Sequence, residues 1–145
     1  MRAYAHDADT QSFGGEAAAA LNVDPARVFK TLLAQIDGSA AGSGLAVAIV
    51  PVSGMLDLKT LAATLGVKKA VMADPGAAQR STGYVVGGIS PIGQRKSLPT
   101  VLDESATRYE SVLVSGGRRG LDLELSASDL VAITGAVYAA ISRER

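Results

Sequence analysis

The sequence predicts a single α+β domain, on three observations. Its 145 residues match the size of one domain and can bury a core. Apolar residues make up 48% and charged residues 19%, a balance that favours folding over disorder. Segments with helical spacing also mix with strand-sized apolar runs, without the regular βαβ rhythm of a doubly wound sheet. Neither an internal repeat nor a linker-like stretch divides the chain.

The elements follow in order. "GEAAAALN" at 15–22 collects helix formers and stops at Asn22, a residue that often ends helices. Asp24-Pro25 reads as N-cap and first helical position. Helical periodicity carries that segment through "ARVFKTLLAQID", with Val28, Leu32 and Ile36 on one face. The run after Lys30 is equally readable as a strand, because short apolar runs do not separate the two. "GSAAGSG" at 38–44 is a turn, and "LAVAIVPV" at 45–52 a buried strand. Asp57 caps "LKTLAATLG", whose Leu58, Leu61, Ala62 and Leu65 form the apolar face and whose Gly66 ends the helix. "VKKAVMA" predicts a short strand, and Asp74-Pro75 opens a second short helix. "SVLVSGG" and "LDLELS" are two strands joined at "GGRRG", with Leu121, Leu123 and Leu125 alternating in the second. Ser126 and Asp129 resemble a capping box that opens a last helix, with Leu130, Ile133, Val137 and Ile141 facing inward.

Composition removes several chemistries. The chain has no cysteine, which excludes disulfides, thiolate zinc sites and a protein thiol nucleophile. His6 is the single histidine, so no histidine-rich metal site can form. A Ser-His-Asp triad would hang on that one residue near a chain end. No apolar run reaches the roughly 20 residues needed to span a bilayer. "MRAYAHDADTQ" lacks an apolar signal core, so the cytoplasm is the expected location. Net charge is zero, from 14 basic and 14 acidic residues, which argues against whole-molecule attraction to nucleic acid. Basic residues pair at Lys68-Lys69, Arg95-Lys96 and Arg118-Arg119, as solvated turns or as a local patch.

The densest signal is "RSTGYVVGGISPIGQRK" at 80–96. Gly83, Gly87, Gly88, Pro91 and Gly93 exceed what one turn needs. Glycine lets backbone N–H groups approach a ligand without an intervening side chain, and adjacent N–H groups can hold an anion or oxyanion. The GxxxxGK[ST] order of a P-loop is absent. The glycines alone remain readable as a turn or as a site.

Three segments resemble one family: "VFKTLL" at 28–33, "MADPGAAQRSTGYVVGGISPIGQRKSLPT" at 72–100 and "VSGGRRGLDLELSASDL" at 114–130. In order and spacing they are similar to the YbaK family of free-standing aminoacyl-tRNA deacylases, relatives of the editing domain inserted in bacterial prolyl-tRNA synthetases. The resemblance implies one editing domain over 1–145, with a mixed, largely antiparallel sheet flanked by helices. It implies deacylation of mischarged Cys-tRNA(Pro), with the aminoacyl-tRNA 3′-terminal adenosine as the bound partner, prolyl-tRNA synthetase as a candidate second partner, and neither cofactor nor metal. By the same resemblance Lys30 of "FKTL" is the catalytic residue and Thr31 lies in the substrate site. The loop Gly87, Gly88, Ile89, Ser90 and Pro91 sits beside the ester, and Tyr4 of "YAHD" with Phe13 and Gly14 completes the pocket. The resemblance leads one to expect a helix and the start of a strand ahead of the Tyr4 segment, where this sequence holds three residues, and Gly15, followed by Glu16, stands where an acidic residue is usual.

The chemistry is compatible with these residues. An aminoacyl ester is already activated, so orientation and charge stabilisation are the main needs. Lys30 supplies a compact positive charge. The resemblance implies that the substrate's own cysteine thiol attacks the ester carbonyl. Read alone, Lys30 is a solvated lysine, Ser90 a loop residue, and Tyr4 and Phe13 core residues. Two other functions fit the same residues: a module that binds aminoacyl-tRNA or a nucleotide without turnover, and an editing enzyme for another small residue such as alanine.

Overall fold

The segment after Asp24 sets the architecture. The computed structural model describes residues 2–3, 24–37, 44–74, 76, 91–92, 98–118 and 121–144. Asp24 accepts a hydrogen bond from the Ala26 N–H at 2.9 Å, but it caps only a single 3-10 turn, Pro25–Arg27. The chain then runs extended as a nine-residue strand, Phe29–Asp37. Of the two readings of "ARVFKTLLAQID", the helix is therefore corrected and the strand stands. Val28, Leu32 and Ile36 share a face in either conformation, because a spacing of four fits both periods. What the helix could not satisfy is the second apolar set, Phe29 and Leu33, which packs on the opposite side. A strand covered on both faces reads as a near-continuous apolar run.

The strands in chain order are β1 (Arg2–Ala3), β2 (Phe29–Asp37), β3 (Leu45–Pro51), β4 (Gly54–Leu56), β5 (Lys69–Met72), β6 (Thr100–Asp103), β7 (Val112–Arg118), β8 (Leu121–Leu125), β9 (Val137–Ala139) and β10 (Ser142–Glu144). Two α-helices are bounded within the described residues, α1 (Leu58–Leu65) and α2 (Ala127–Thr134). Five strands form the main sheet in the order β5-β2-β3-β6-β9. Its β5-β2 and β2-β3 pairs are antiparallel, while β3-β6 and β6-β9 are parallel. A three-stranded antiparallel sheet, β1-β8-β7, joins the edge of β2 through a parallel bridge between Val28 and Leu113. The short pair β4-β10 stands apart. This is the expected α+β domain with a mixed sheet: the main sheet divides evenly between antiparallel and parallel pairs, and antiparallel pairing predominates over the three sheets together.

Among the described residues, α1 packs on one face of the main sheet and α2 on the other. Phe29, Leu33, Val47 and Ile49 pack with Val112, Val114, Ala127 and Leu130 on the α2 side. Ala34, Ala46, Ala48 and Val50 pack with Leu61, Ala62 and Ile141 on the α1 side. Burying one such Leu or Ile side chain contributes about 1.5–3 kcal/mol. Helix α1 has the expected ends: Asp57 accepts from the Thr60 N–H at 3.1 Å, and Gly66 takes the left-handed conformation at φ 69°. Helix α2 begins as expected, with Ser126 Oγ accepting from the Asp129 N–H at 3.1 Å.

The end of α2 corrects the sequence reading. Gly135 adopts φ 72° and donates its N–H to the Val131 carbonyl at 2.8 Å, closing the helix at Thr134. Ile133 and Val137 are therefore 58% and 52% exposed rather than inward, and Val137 belongs to β9. Leu130 and Ile141 are buried as expected, but in different cores. The helices expected at 15–22 and from Asp74-Pro75, and the turn at 38–44, lie outside the described residues apart from Gly44, Asp74 and Gly76. No helix among the described residues is long and apolar enough to cross a membrane.

Candidate functional site

Lys30 sits one residue into β2, opposite Val50 of β3. It is half-buried, and its Nζ donates to the Gly54 carbonyl at 3.1 Å. Gly54 opens β4, just after the turn that leaves β3 at Pro51. A half-buried lysine whose ammonium donates to a backbone carbonyl is held in place, and an ordered cation is what stabilising charge in a reaction requires.

The neighbouring elements share its side. Strand β2 alternates, with Phe29 and Leu33 toward the α2 core and Leu32 and Ala34 toward the α1 core. Lys30 falls on the second side. Val112 and Val114 of β7, with Leu123 and Leu125 of β8, face the first core. The bridge between Val28 and Leu113 therefore continues the Lys30 side through Leu113 and Ser115. Ser115 pairs in register with Asp122 of β8. Lys30, Ser115 and Asp122 thus lie on one side of two joined sheets.

Asp122 is the unexpected member. The alternation of "LDLELS" sets it with Glu124 on the polar face, which a sequence reader takes for solvent. Glu124 is exposed and pairs with Arg27 at 3.0 Å. Asp122 is buried, with 5% of its surface exposed. Desolvation pushes its carboxyl up to about 6. A buried carboxyl with a raised pKa is a candidate functional group with a physical rationale. No signal in the sequence separates it from Glu124, since its cover comes from elsewhere in the fold.

Asp103 is a different case. It is also buried, but both oxygens are engaged: Oδ2 accepts from the Ser105 N–H and hydroxyl, and Oδ1 from the N–H groups of Ile141 and Ser142. Arg27 has a structural role as well, clamping the start of β2 to Ser111 and Glu124.

The other sequence-derived residues divide. Thr31 follows Lys30 but faces the α2 side, where its buried Oγ1 has no hydrogen-bond partner among the described residues. Pro91 is buried, and Ile92 after it packs against that same α2-side core. Tyr4, Phe13, Gly14, Gly87, Gly88, Ile89 and Ser90 lie outside the described residues, as do His6 and Arg119. Among the described residues, no three of His, Asp or Glu gather where a metal ion could be held.

A half-buried lysine and a buried carboxyl thus lie on one side of these joined sheets, two polar groups that a purely apolar core would not hold. Comparison with known proteins specifies the class. The aminoacyl-tRNA editing domain family matches residues 8–133, and the chain belongs to that family. Over 125 residues it is 38% identical to an Enterococcus faecalis protein named "Putative Cys-tRNA(Pro)/Cys-tRNA(Cys) deacylase EbsC", covering 86% of this chain and 74% of that one. Among solved structures it is similar to one described as "a putative trans-editing enzyme for prolyl tRNA synthetase", at TM-score 0.82 and 27% identity over 94% of this chain and 83% of the other. A second, "hypothetical protein APE2540", gives TM-score 0.80 and 30% identity over 90% and 83% of the two chains. The YbaK-type resemblance read from the three sequence segments is thereby established.

Proposed function

We propose that this protein is a trans-acting aminoacyl-tRNA deacylase that cleaves mischarged Cys-tRNA(Pro), with Lys30 as its essential cation. The observation that carries the reading is the anchored ammonium of Lys30, 3.1 Å from the Gly54 carbonyl, at the lysine of the "FKTL" motif. Family membership and the name of the Enterococcus faecalis relative support the substrate class.

The chain itself offers no thiol, so the reaction begins on the substrate. The cysteinyl thiolate attacks its own ester carbonyl carbon, forming a carbon–sulfur bond and a tetrahedral oxyanion. Collapse breaks the bond to the ribose oxygen, which leaves with a proton, and the amino acid departs as a cyclic thioester that water then opens. A free thiol ionises near ~8.5, and a nearby cation favours the thiolate. Lys30 supplies that charge, either to the thiolate or to the oxyanion, as a compact point charge. By the family resemblance the glycine loop at 87–91 is assigned the oxyanion and the terminal adenosine, with Tyr4, Phe13 and Gly14 as further substrate contacts; Thr31, on the side of the sheet opposite Lys30, is left out of this set. Prolyl-tRNA synthetase is the candidate partner that presents the tRNA.

The test is deacylation of Cys-tRNA(Pro) by the wild-type protein and by Lys30→Ala and Lys30→Arg, at matched thermal stability. Lys30→Ala is expected to lose turnover by at least about 100-fold, the scale of removing one positioned charge stabiliser. Lys30→Arg rescues poorly, since a planar fork replaces an ammonium. Near-normal cleavage by Lys30→Ala refutes the assignment, and binding without cleavage by the wild-type protein makes this a binding module.

A further inference from the structure

We propose that the Gly54 carbonyl is the positioning group for the Lys30 ammonium, and that the C-terminal strand β10, latched onto Asp103, sets its place. The inference rests on the reading of Lys30 given above. Four observations converge on it. First, the lysine meets this carbonyl across 24 residues of sequence, at 3.1 Å. Second, β4 is only three residues long, and among the described residues its one ladder partner is β10. Two three-residue strands are marginal by themselves.

Third, β10 has an outside anchor. The Asp103 Oδ1 accepts from both the Ile141 and the Ser142 N–H, each at 3.0 Å. Asp103 is 2% exposed, at the end of β6, an interior strand of the main sheet between β3 and β9. Bonds to a charged acceptor are worth roughly twice neutral ones, so β10 is tied to the rigid part of the fold. Ile141 is fully buried, and its carbonyl accepts the Asp57 N–H at 2.7 Å, which fixes the chain on the far side of β4.

Fourth, the contact between β4 and β10 leaves no room at Gly54. A Cβ there would lie 3.1 Å from the Arg143 carbonyl oxygen and 3.6 Å from the Ser142 Cβ. Glycine is needed for close approach, not for an unusual backbone angle. The line of force therefore runs from Asp103 through Ile141 and Ser142 to β10, across to Gly54, and on to Lys30. A lysine side chain is long and has many rotamers, so fixing its head group before substrate arrives contributes to orientation.

The experiment pairs turnover with a direct view of the ammonium. Isotope labelling of lysine side chains gives a Lys30 ammonium signal in NMR, assigned by its loss in Lys30→Arg, with proton exchange slowed by the carbonyl. In Gly54→Ala the added methyl pushes β10 and β4 apart by a few tenths of an ångström. The expected result is a shifted, faster-exchanging signal and kcat lowered roughly tenfold, with the protein still folded. Asp103→Ala should do the same, and Asp103→Asn, which keeps one acceptor oxygen for Ile141 and Ser142, should recover the signal. If Asp103→Ala does not fold, Gly54→Ala decides alone. A folded Gly54→Ala with the signal unmoved overturns the proposal. So does a moved signal with kcat unchanged while Lys30→Ala is inactive. An active Lys30→Ala would instead sink the functional reading, and the ammonium signal would still decide whether Gly54 positions the lysine.

Discussion

At the residue scale, Asp122 and Asp103 show that burial alone does not define a site. Both are almost fully enclosed, but Asp103 accepts four hydrogen bonds whereas Asp122 is raised to about 6 by desolvation. The raised value has a consequence for stability. The folded pKa lies above the ordinary carboxyl value of 3.8, so the folded state holds the proton more tightly than the unfolded chain. The stability this group contributes is fully present below about 3.8 and is lost as pH rises through about 6. Asp122→Asn, which is neutral at every pH, should therefore melt higher than the wild type at pH above 7, with the gap closing toward acid. Melting curves across that range check it; a gap that is constant or widens toward acid contradicts the assignment. The pair Lys30 and Thr31 makes the complementary point. They are adjacent in one motif, but strand alternation sends their side chains to opposite sides of the sheet.

At the element scale, what could be read from the sequence was what local chemistry decides. Helix α1 was legible because its cap Asp57, its apolar face and its terminal Gly66 all lie within ten consecutive residues. The β7-β8 pair was legible from alternation and the glycines between. Strand β2 was not, since Val28, Leu32 and Ile36 fit both periods and only the packing of Phe29 and Leu33 on the other face chooses. The end of α2 was missed by following apolar spacing past Gly135, a residue whose left-handed φ of 72° marks the stop. Substituting Gly135→Ala should lower stability by about 1 kcal/mol, the cost of holding an L-residue there. A Cβ at that position meets nothing within 4 Å, so the effect is purely conformational. An unchanged denaturation midpoint would mean that the cap relaxes into another geometry. The candidate site was legible only in part: "FKTL" marks Lys30, but neither Gly54 nor Asp122 carries a local signal, because each is brought to the lysine's side by strand pairing.

At the scale of the whole molecule, a net charge of zero limits how the protein can hold tRNA. Few phosphate contacts are available, so binding of bare tRNA should be weak, with a log–log salt slope of roughly three or less. A filter-binding titration at several salt concentrations measures this, and a nanomolar complex at physiological salt contradicts it. Selectivity for one tRNA then has to come from a partner or from the chemistry of the aminoacyl group. The central claim is that the substrate's sulfur does the attacking, and one comparison tests it most directly: single-turnover cleavage of cysteinyl- and seryl-tRNA(Pro) by the wild-type protein. The two substrates differ by one atom, and serine fits wherever cysteine fits. A pocket alone discriminates such a change by about 10- to 200-fold. Attack by the thiolate predicts a preference for cysteine well beyond ~200-fold, with a rate that rises with pH as thiolate forms and levels off once the thiol is fully ionised. Comparable cleavage of the two esters, or a rate abolished by Ser90→Ala alone, would show that water or the protein is the nucleophile instead.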